Sequence, residues 1–221
     1  MHFQQEILRL EAQALGGIDM AVGILDAALE ALAHYDAELA AIVVADDDRI
    51  NGRYLEVHQG VLSLLALQAP VAGDLRLVAA LLHLVKHLER IGDQCTNIAK
   101  MVPLLGHDPP TDAAIVERIR AMGSQARSQV RQARQSFALR DPELALDLAR
   151  QDDTLDRLNR EIFRRAIEIG GEDADLREWA MSMILVARAI ERIGDNAVDI
   201  GEQTVFVVTG LFREVGQGNR H

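Results

Sequence analysis

A pentapeptide that occurs twice, Glu89-Arg90-Ile91-Gly92-Asp93 and Glu191-Arg192-Ile193-Gly194-Asp195, constrains this 221-residue chain more than any other feature. It does not stand alone. Asp36-Ala37-Glu38-Leu39-Ala40 returns as Asp141-Pro142-Glu143-Leu144-Ala145, and Asp74-Leu75-Arg76 returns as Asp175-Leu176-Arg177, in the same order and at nearly constant separation. Self-similarity over this length marks a duplicated structural unit. The chain therefore reads as two tandem units, residues 1–106 and 107–221, joined through Leu104 to Thr111.

Each unit reads as helical. Ile18, Val22, Leu25, Leu29 and Leu32 recur at alternating spacings of four and three, and Leu144, Leu148, Leu155, Leu158, Ile162 and Ile169 keep the same frame at spacings of three, four and seven. That is the apolar stripe of a helix in a bundle. Aromatic residues are only 4% of the chain, so the core must be built from Ala, Leu, Ile and Val, which suits closely packed helices. All five prolines fall where a helix should start or stop, with Pro103 closing a long periodic run; proline is tolerated in a first turn and breaks an interior. The spacing predicts helices near 3–34, 37–67, 71–102, 112–139, 142–169 and 174–213, an all-α fold of two tandem three-helix bundles.

On the third helix Leu81, Leu84, Val85, Leu88, Ile91, Cys95 and Val102 gather on one face and make the expected core. Glu89, Asp93 and Asn97 stand at i, i+4, i+8 and form a second stripe beside it. The second unit repeats this with Glu191, Asp195 and Asp199. Like charges four apart cost about 0.2–0.5 kcal/mol per pair in an isolated helix, so something should compensate. Between the units the core positions drift, Leu88 against Ile190 and Val85 against Ala187, while the motif's Glu, Arg and Asp are unchanged. Packing alone gives no reason for that. The middle helices offer partners: Asp152 with Asp156, and at the equivalent positions Asp47 with Asn51. Carboxylate and amide oxygens without cysteine or converging histidine suit hard cations such as Mg, Mn, Ca or ferric iron. Off the core face, such sites are expected to be open and near the surface. Gly92 and Gly194, mid-helix, read as points of close helix packing, with room beside the acids for an ion or backbone as the functional alternative.

A net charge of −11 argues against nucleic acid as a partner. The single cysteine, Cys95, precludes an intrachain disulfide and fits a reducing compartment. No signal peptide or membrane-spanning run is visible, so membrane association is expected only through partners. No nucleophile–base pair, phosphate loop or dinucleotide fingerprint is present, and no catalysis is assigned. Arg127, Arg131 and Arg134 read as a solvated basic face, with an acidic partner or lipid headgroups as the alternative. His83 and His87 read as a surface pair, Cys95 and Trp179 as packing residues, and residues 216–221 as a loose tail.

At these motifs the chain resembles the PhoU family of bacterial phosphate-uptake regulators. The resemblance runs through Gln68 to Arg76, Leu88 to Asn97 and Ile190 to Ile200, the Asp47/Asn51 and Asp152/Asp156 pairs and the two-unit layout, and covers nearly the whole chain. It implies two three-helix bundles with pseudo-twofold symmetry, and metal clusters on the paired acidic motifs. The implied ligands are Asp47, Asn51, Glu89, Asp93 and Asn97 in the first unit and Asp152, Asp156, Glu191, Asp195 and Asp199 in the second. The expected ions are divalent or trivalent: Mg, Mn, Fe or Zn. The resemblance further implies a negative regulator of the phosphate-starvation response that modulates high-affinity phosphate uptake. It would act as an adaptor between the ATPase subunit of the phosphate ABC transporter and a phosphate-sensing histidine kinase. A cytoplasmic homodimer, peripheral to the inner face of the membrane through those partners, is the expected form. The competing readings are a carboxylate-bridged metalloenzyme of ferritin-like type, for which no Glu-x-x-His is present, and a purely structural helical bundle.

Overall fold

The computed structural model describes residues 2–68, 70–171 and 173–211. Six helices follow in order: α1 (His2–His34), α2 (Ala37–Leu67), α3 (Ala72–Leu105), α4 (Ala113–Leu139), α5 (Pro142–Ile169) and α6 (Ala174–Thr209). There is no strand among the described residues.

The repeated Asp-x-Glu-Leu-Ala segments are helix starts. Asp36 Oδ1 accepts from the backbone N–H groups of Glu38 and Leu39, and Asp141 Oδ1 from those of Glu143 and Leu144. Each satisfies donors that a helix N-terminus leaves unpaired. The residue before each cap turns the chain through the left-handed region, Tyr35 at φ 53° and Arg140 at φ 55°. This conformation is uncommon for residues other than glycine. The two units thus share even their strained turn.

Within each unit all three helices touch one another: α1, α2 and α3 in the first, α4, α5 and α6 in the second. Between units α3 packs on α6 and α1 on α4. The four helices α1, α3, α6 and α4 therefore close a ring. α2 covers the α1/α3 edge and α5 the α4/α6 edge. The predicted core face of α3 is buried throughout, from Leu81 to Val102.

Three expectations need correction. Arg127, Arg131 and Arg134 do not form a solvated face. They meet an acidic stripe on α1: Arg127 and Arg131 pair with Asp26, and Arg134 Nε lies 2.7 Å from Asp19. Arg140 extends the set, 2.7 Å from Glu11. The α1/α4 contact between units thus carries a row of ion pairs. Pro103 does not end α3, which runs two residues further because Val102 is buried and Leu105 packs on the core. Gly106, at φ +79°, ends it instead. At the other end of the chain α6 stops at Thr209 rather than 213. Gly210 adopts φ +75° and its N–H caps Phe206 O at 2.8 Å, the usual glycine stop. Residues 212–213 of that expectation, and the expected loose tail, lie outside the described residues.

Candidate functional site

The acidic residues of each unit meet along the seam between its second and third helices, outside the central ring. In the second unit the seam is set by Gly194. A Cβ there would overlap Leu155 Cδ1 and stand 2.9 Å from Gln129 Oε1 and 3.0 Å from Asp152 Oδ1. A larger residue there would require these three side chains to shift. In the first unit a Cβ on Gly92 would meet Ile50 at 3.0 Å and Asp47 Oδ1 at 3.4 Å. The close-packing reading of these glycines holds, with an aspartate oxygen beside each.

Those oxygens are unusual. Asp47 Oδ1 and Asp152 Oδ1 occupy equivalent positions, both are buried, and neither accepts a hydrogen bond. A buried acceptor without a donor costs about 1–3 kcal/mol, more when charged. Asp47 Oδ2 accepts from Asn51 Nδ2 at 3.1 Å. Asp152 has no asparagine one turn on, since the position equivalent to Asn51 is Asp156; the Gln129 amide beside it only partly offsets the burial of its carboxyl.

The electrostatics follow. Burial, with Asp195, Asp156 and Glu191 close by, pushes the Asp152 carboxyl up to about 7. Burial and Glu191 raise Asp195, despite its exposed edge. In the first unit burial, Glu89 and Asp47 raise Asp93. The two glutamates have cations of their own. Glu191 is buried and pairs with Arg188, and Glu89 Oε2 lies 2.5 Å from Lys86 Nζ. Asp156 is 3.5 Å from Arg160. Asn97 is exposed at the end of its stripe.

The sites are thus less open than the sequence suggests. Glu191 and one oxygen each of Asp47 and Asp152 are buried, because α2 and α5 lie directly over the stripes. Asp199 departs furthest from expectation. Its Oδ2 lies 3.3 Å from Nδ1 of His87, across the α3/α6 boundary between units. His87 is accordingly not a surface residue: it is buried, and its Nδ1 is also 3.0 Å from Asn196 Oδ1. His83 alone of that pair is exposed. Burial lowers the His87 pKa, with Asn196 and Asp199 opposing, so the ring stays neutral near pH 7 and Nδ1–H donates.

Three contributors were missed in the sequence. Lys86 and Arg188 stand three residues before the motif glutamates in both units, a repeated Lys/Arg-x-x-Glu spacing that was legible. Gln129 of α4, fully buried with neither amide atom hydrogen-bonded, borders the second seam and left no signal. Trp179 is buried as expected. Cys95 is buried too, and burial followed by the Asp47 charge pushes its thiol pKa far up; it is a packing residue without thiolate character.

The donor set is all oxygen, which suits a hard cation. The two orphaned aspartate oxygens and the crowded carboxyls fit a positive charge in each seam. Among the described residues no three carboxylate, imidazole or thiol groups converge as they stand to share one ion. Glu191 and Glu89 would have to turn from Arg188 and Lys86 to do so.

A duplicated six-helix protein with an acidic seam in each half is the class that this geometry defines. The PhoU domain model matches the chain twice, at residues 18–102 and 119–204, and the chain belongs to the PhoU family. It is 30% identical over 209 residues to the phosphate-specific transport system accessory protein PhoU homolog of Clostridium acetobutylicum, covering 94% of each chain. It is 33% identical over 212 residues to the Pseudomonas aeruginosa homolog, covering 96% of this chain and 86% of that one. Among solved structures, PhoU from Pseudomonas aeruginosa superposes with a TM-score of 0.89 at 30% identity, covering 95% of this chain and 100% of the other. The phosphate transport system regulatory protein PhoU from Streptococcus pneumoniae gives 0.88 at 26% identity, covering 96% and 99%.

Proposed function

We propose that this chain is an accessory regulator of phosphate transport that holds the phosphate-starvation response off when phosphate is plentiful. Similarity over nearly its whole length to relatives named for that transport system is the observation that carries this reading. No described helix is long and apolar enough to cross a membrane, so the chain would reach the transporter as a docking partner. The ATPase subunit and a phosphate-sensing histidine kinase are the proposed contacts.

The acidic seams are proposed to hold hard metal ions. Asp152, Asp156, Glu191 and Asp195 would hold one, and Asp47, Glu89 and Asp93, with Asn51, the other. Bound metal supplies positive charge to carboxylates that the fold keeps partly from water. Holding it would require Asp152 without its proton and Glu191 and Glu89 turned from Arg188 and Lys86, and would tie α5 to α6 and α2 to α3. Asp199, engaged by His87, would tie the second seam to the first unit. The regulatory role then follows from a rigid six-helix body rather than from catalysis.

The test is a phosphate-starvation reporter in cells lacking the protein, grown with ample phosphate and complemented with wild type or with the Asp93→Ala, Asp195→Ala variant. The reporter is expected to be on without the protein and off with wild type. A reporter that stays off throughout would overturn the regulatory reading. Full repression by the variant would detach that role from the seams.

A further inference from the structure

The seam between α5 and α6 does not end at the acids. Beyond Asp156 and Glu191 it opens into a groove of about 440 Å³ lined by Asn159, Arg160, Phe163, Arg164, Ile184, Leu185 and Arg188. Phe163 is 51% and Leu185 59% exposed, large fractions for such side chains. The two helices run antiparallel, so Ile167, four residues after Phe163, and Met181, four before Leu185, continue the apolar stripe. Both are exposed too. No acid lines the groove; three arginines do. In a chain of net charge −11 this is a local inversion of sign. Arg160 and Arg188 share Asp156 and Glu191 at one end, whereas the Arg164 guanidinium reaches only a backbone carbonyl, that of Arg160 at 3.4 Å.

From this juxtaposition we propose that the α5/α6 groove docks an acidic amphipathic helix of a partner protein. Apolar side chains at i, i+3 or i+4 and i+7 would lie along Phe163, Leu185, Ile167 and Met181, which is how helices enter apolar grooves. Asp or Glu flanking that stripe would meet Arg164, Arg160 and Arg188. Arginine carries five donors in a planar fork and takes a second carboxylate without releasing the first. Arginine and aromatic residues are also the types that dominate interface energetics. The surface is concave, which suits a helix better than the plane of a bilayer, and the overall negative charge disfavours an anionic membrane. The equivalent face of the first unit carries Tyr54, Leu55, His58, Gln59, Leu62, Ala79, Leu82, His83 and Lys86, with Lys86 as its only arginine or lysine. The second unit is therefore the one built for an acidic helix. This assignment stands apart from the regulatory reading; Arg160 and Arg188 also pair with Asp156 and Glu191 of the acidic seam, but Arg164 and Leu185, which carry its test, lie outside that seam.

The test is selection from a displayed library of helical 18-residue peptides, randomised at apolar and charged positions, on the full chain. Arg164→Glu serves as counter-bait, and Leu185→Asp as a second variant. Both side chains are exposed, and unchanged melting and circular dichroism confirm that the variants fold. Enriched peptides are expected to carry an apolar i, i+3/i+4, i+7 stripe flanked by Asp and Glu. They should bind either variant roughly tenfold more weakly, and Lys-for-Glu versions should regain binding to Arg164→Glu. The proposal is overturned if no peptide is enriched over empty support, if enriched peptides show no acidic bias, or if they bind both variants like wild type. Phosphatidylglycerol vesicles are run alongside. Arg164-dependent vesicle binding without peptide enrichment would make the groove a membrane surface instead.

Discussion

Asp199, the last acid of the second unit's stripe, lies 3.3 Å from His87 Nδ1 of the first unit. The same nitrogen donates to Asn196 Oδ1, and the buried imidazole is the polar hinge pin of the α3/α6 contact. His87→Ala removes the donor from a buried amide oxygen and leaves a void. The expected loss is about 1–3 kcal/mol, seen as a drop in Tm of about 2–4 °C per kcal/mol. The folded pKa lies below the ordinary 6.5, so the unfolded chain binds the extra proton first as pH falls. This contribution is present above about pH 6.5 and is lost below it. Wild type should therefore lose stability on mild acidification more steeply than His87→Ala. Equal melting of the two proteins across pH would show that this contact does not hold the units together.

Asp152 has the opposite sign. Its folded pKa, about 7, lies above the ordinary 3.8. The native state holds a proton that the unfolded chain releases, so stability is full below about pH 4 and is lost as pH rises to about 7. In chelator, Asp152→Asn should raise Tm at about pH 8 by about 2–4 °C, equivalent to about 1 kcal/mol once the partial exposure of the group is allowed for. The gain should vanish near pH 4. A variant that melts below wild type at alkaline pH would mean that the charged carboxylate has a stabilising partner in this seam.

The fold was legible because its determinants are local and duplicated: apolar spacing, aspartate caps and the repeated pentapeptide each act within one helix. The acidic stripes were legible for the same reason. What escaped was whatever depends on how two helices face each other. His87 looked like half of a surface pair because its period places it beside the α3 core, and only α6 buries it. Arg127, Arg131 and Arg134 looked solvated because their partners, Asp19 and Asp26, lie in the other unit about a hundred residues away. The burial of Glu191 and the isolation of Asp152 Oδ1 likewise arise only when α5 is laid on α6.

Gly194 and Gly92 test that closeness directly. Alanine is favoured over glycine in a helix by about 1 kcal/mol, so an uncrowded site should gain from the change. At Gly194 the new Cβ overlaps Leu155 and presses on Asp152 and Gln129, and overpacking costs about 1–3 kcal/mol. At Gly92 the neighbours need yield only slightly. Gly194→Ala is expected to lower Tm, and Gly92→Ala to leave it within about 2 °C of wild type. Equal effects in denaturant melts would mean that the two seams are equally tight.

The two seams should also differ in affinity. The first offers three carboxylates and one amide, Asp47, Glu89 and Asp93 with Asn51; the second offers carboxylates at all four equivalent positions, Asp152, Glu191, Asp195 and Asp156. Affinity for a multivalent hard cation rises with ligand charge. Titrated with manganese by calorimetry, Asp93→Ala, which leaves the second seam intact, should bind more tightly than Asp195→Ala by on the order of tenfold. The proton on Asp152 adds a signature of its own. Below about pH 7 the ion must displace it, so affinity at the second seam should climb with pH through neutrality and binding should release a proton to the buffer. If Asp195→Ala binds more tightly, the count of charges does not govern affinity here, and the displacement of Glu191 from Arg188 is the dominant cost.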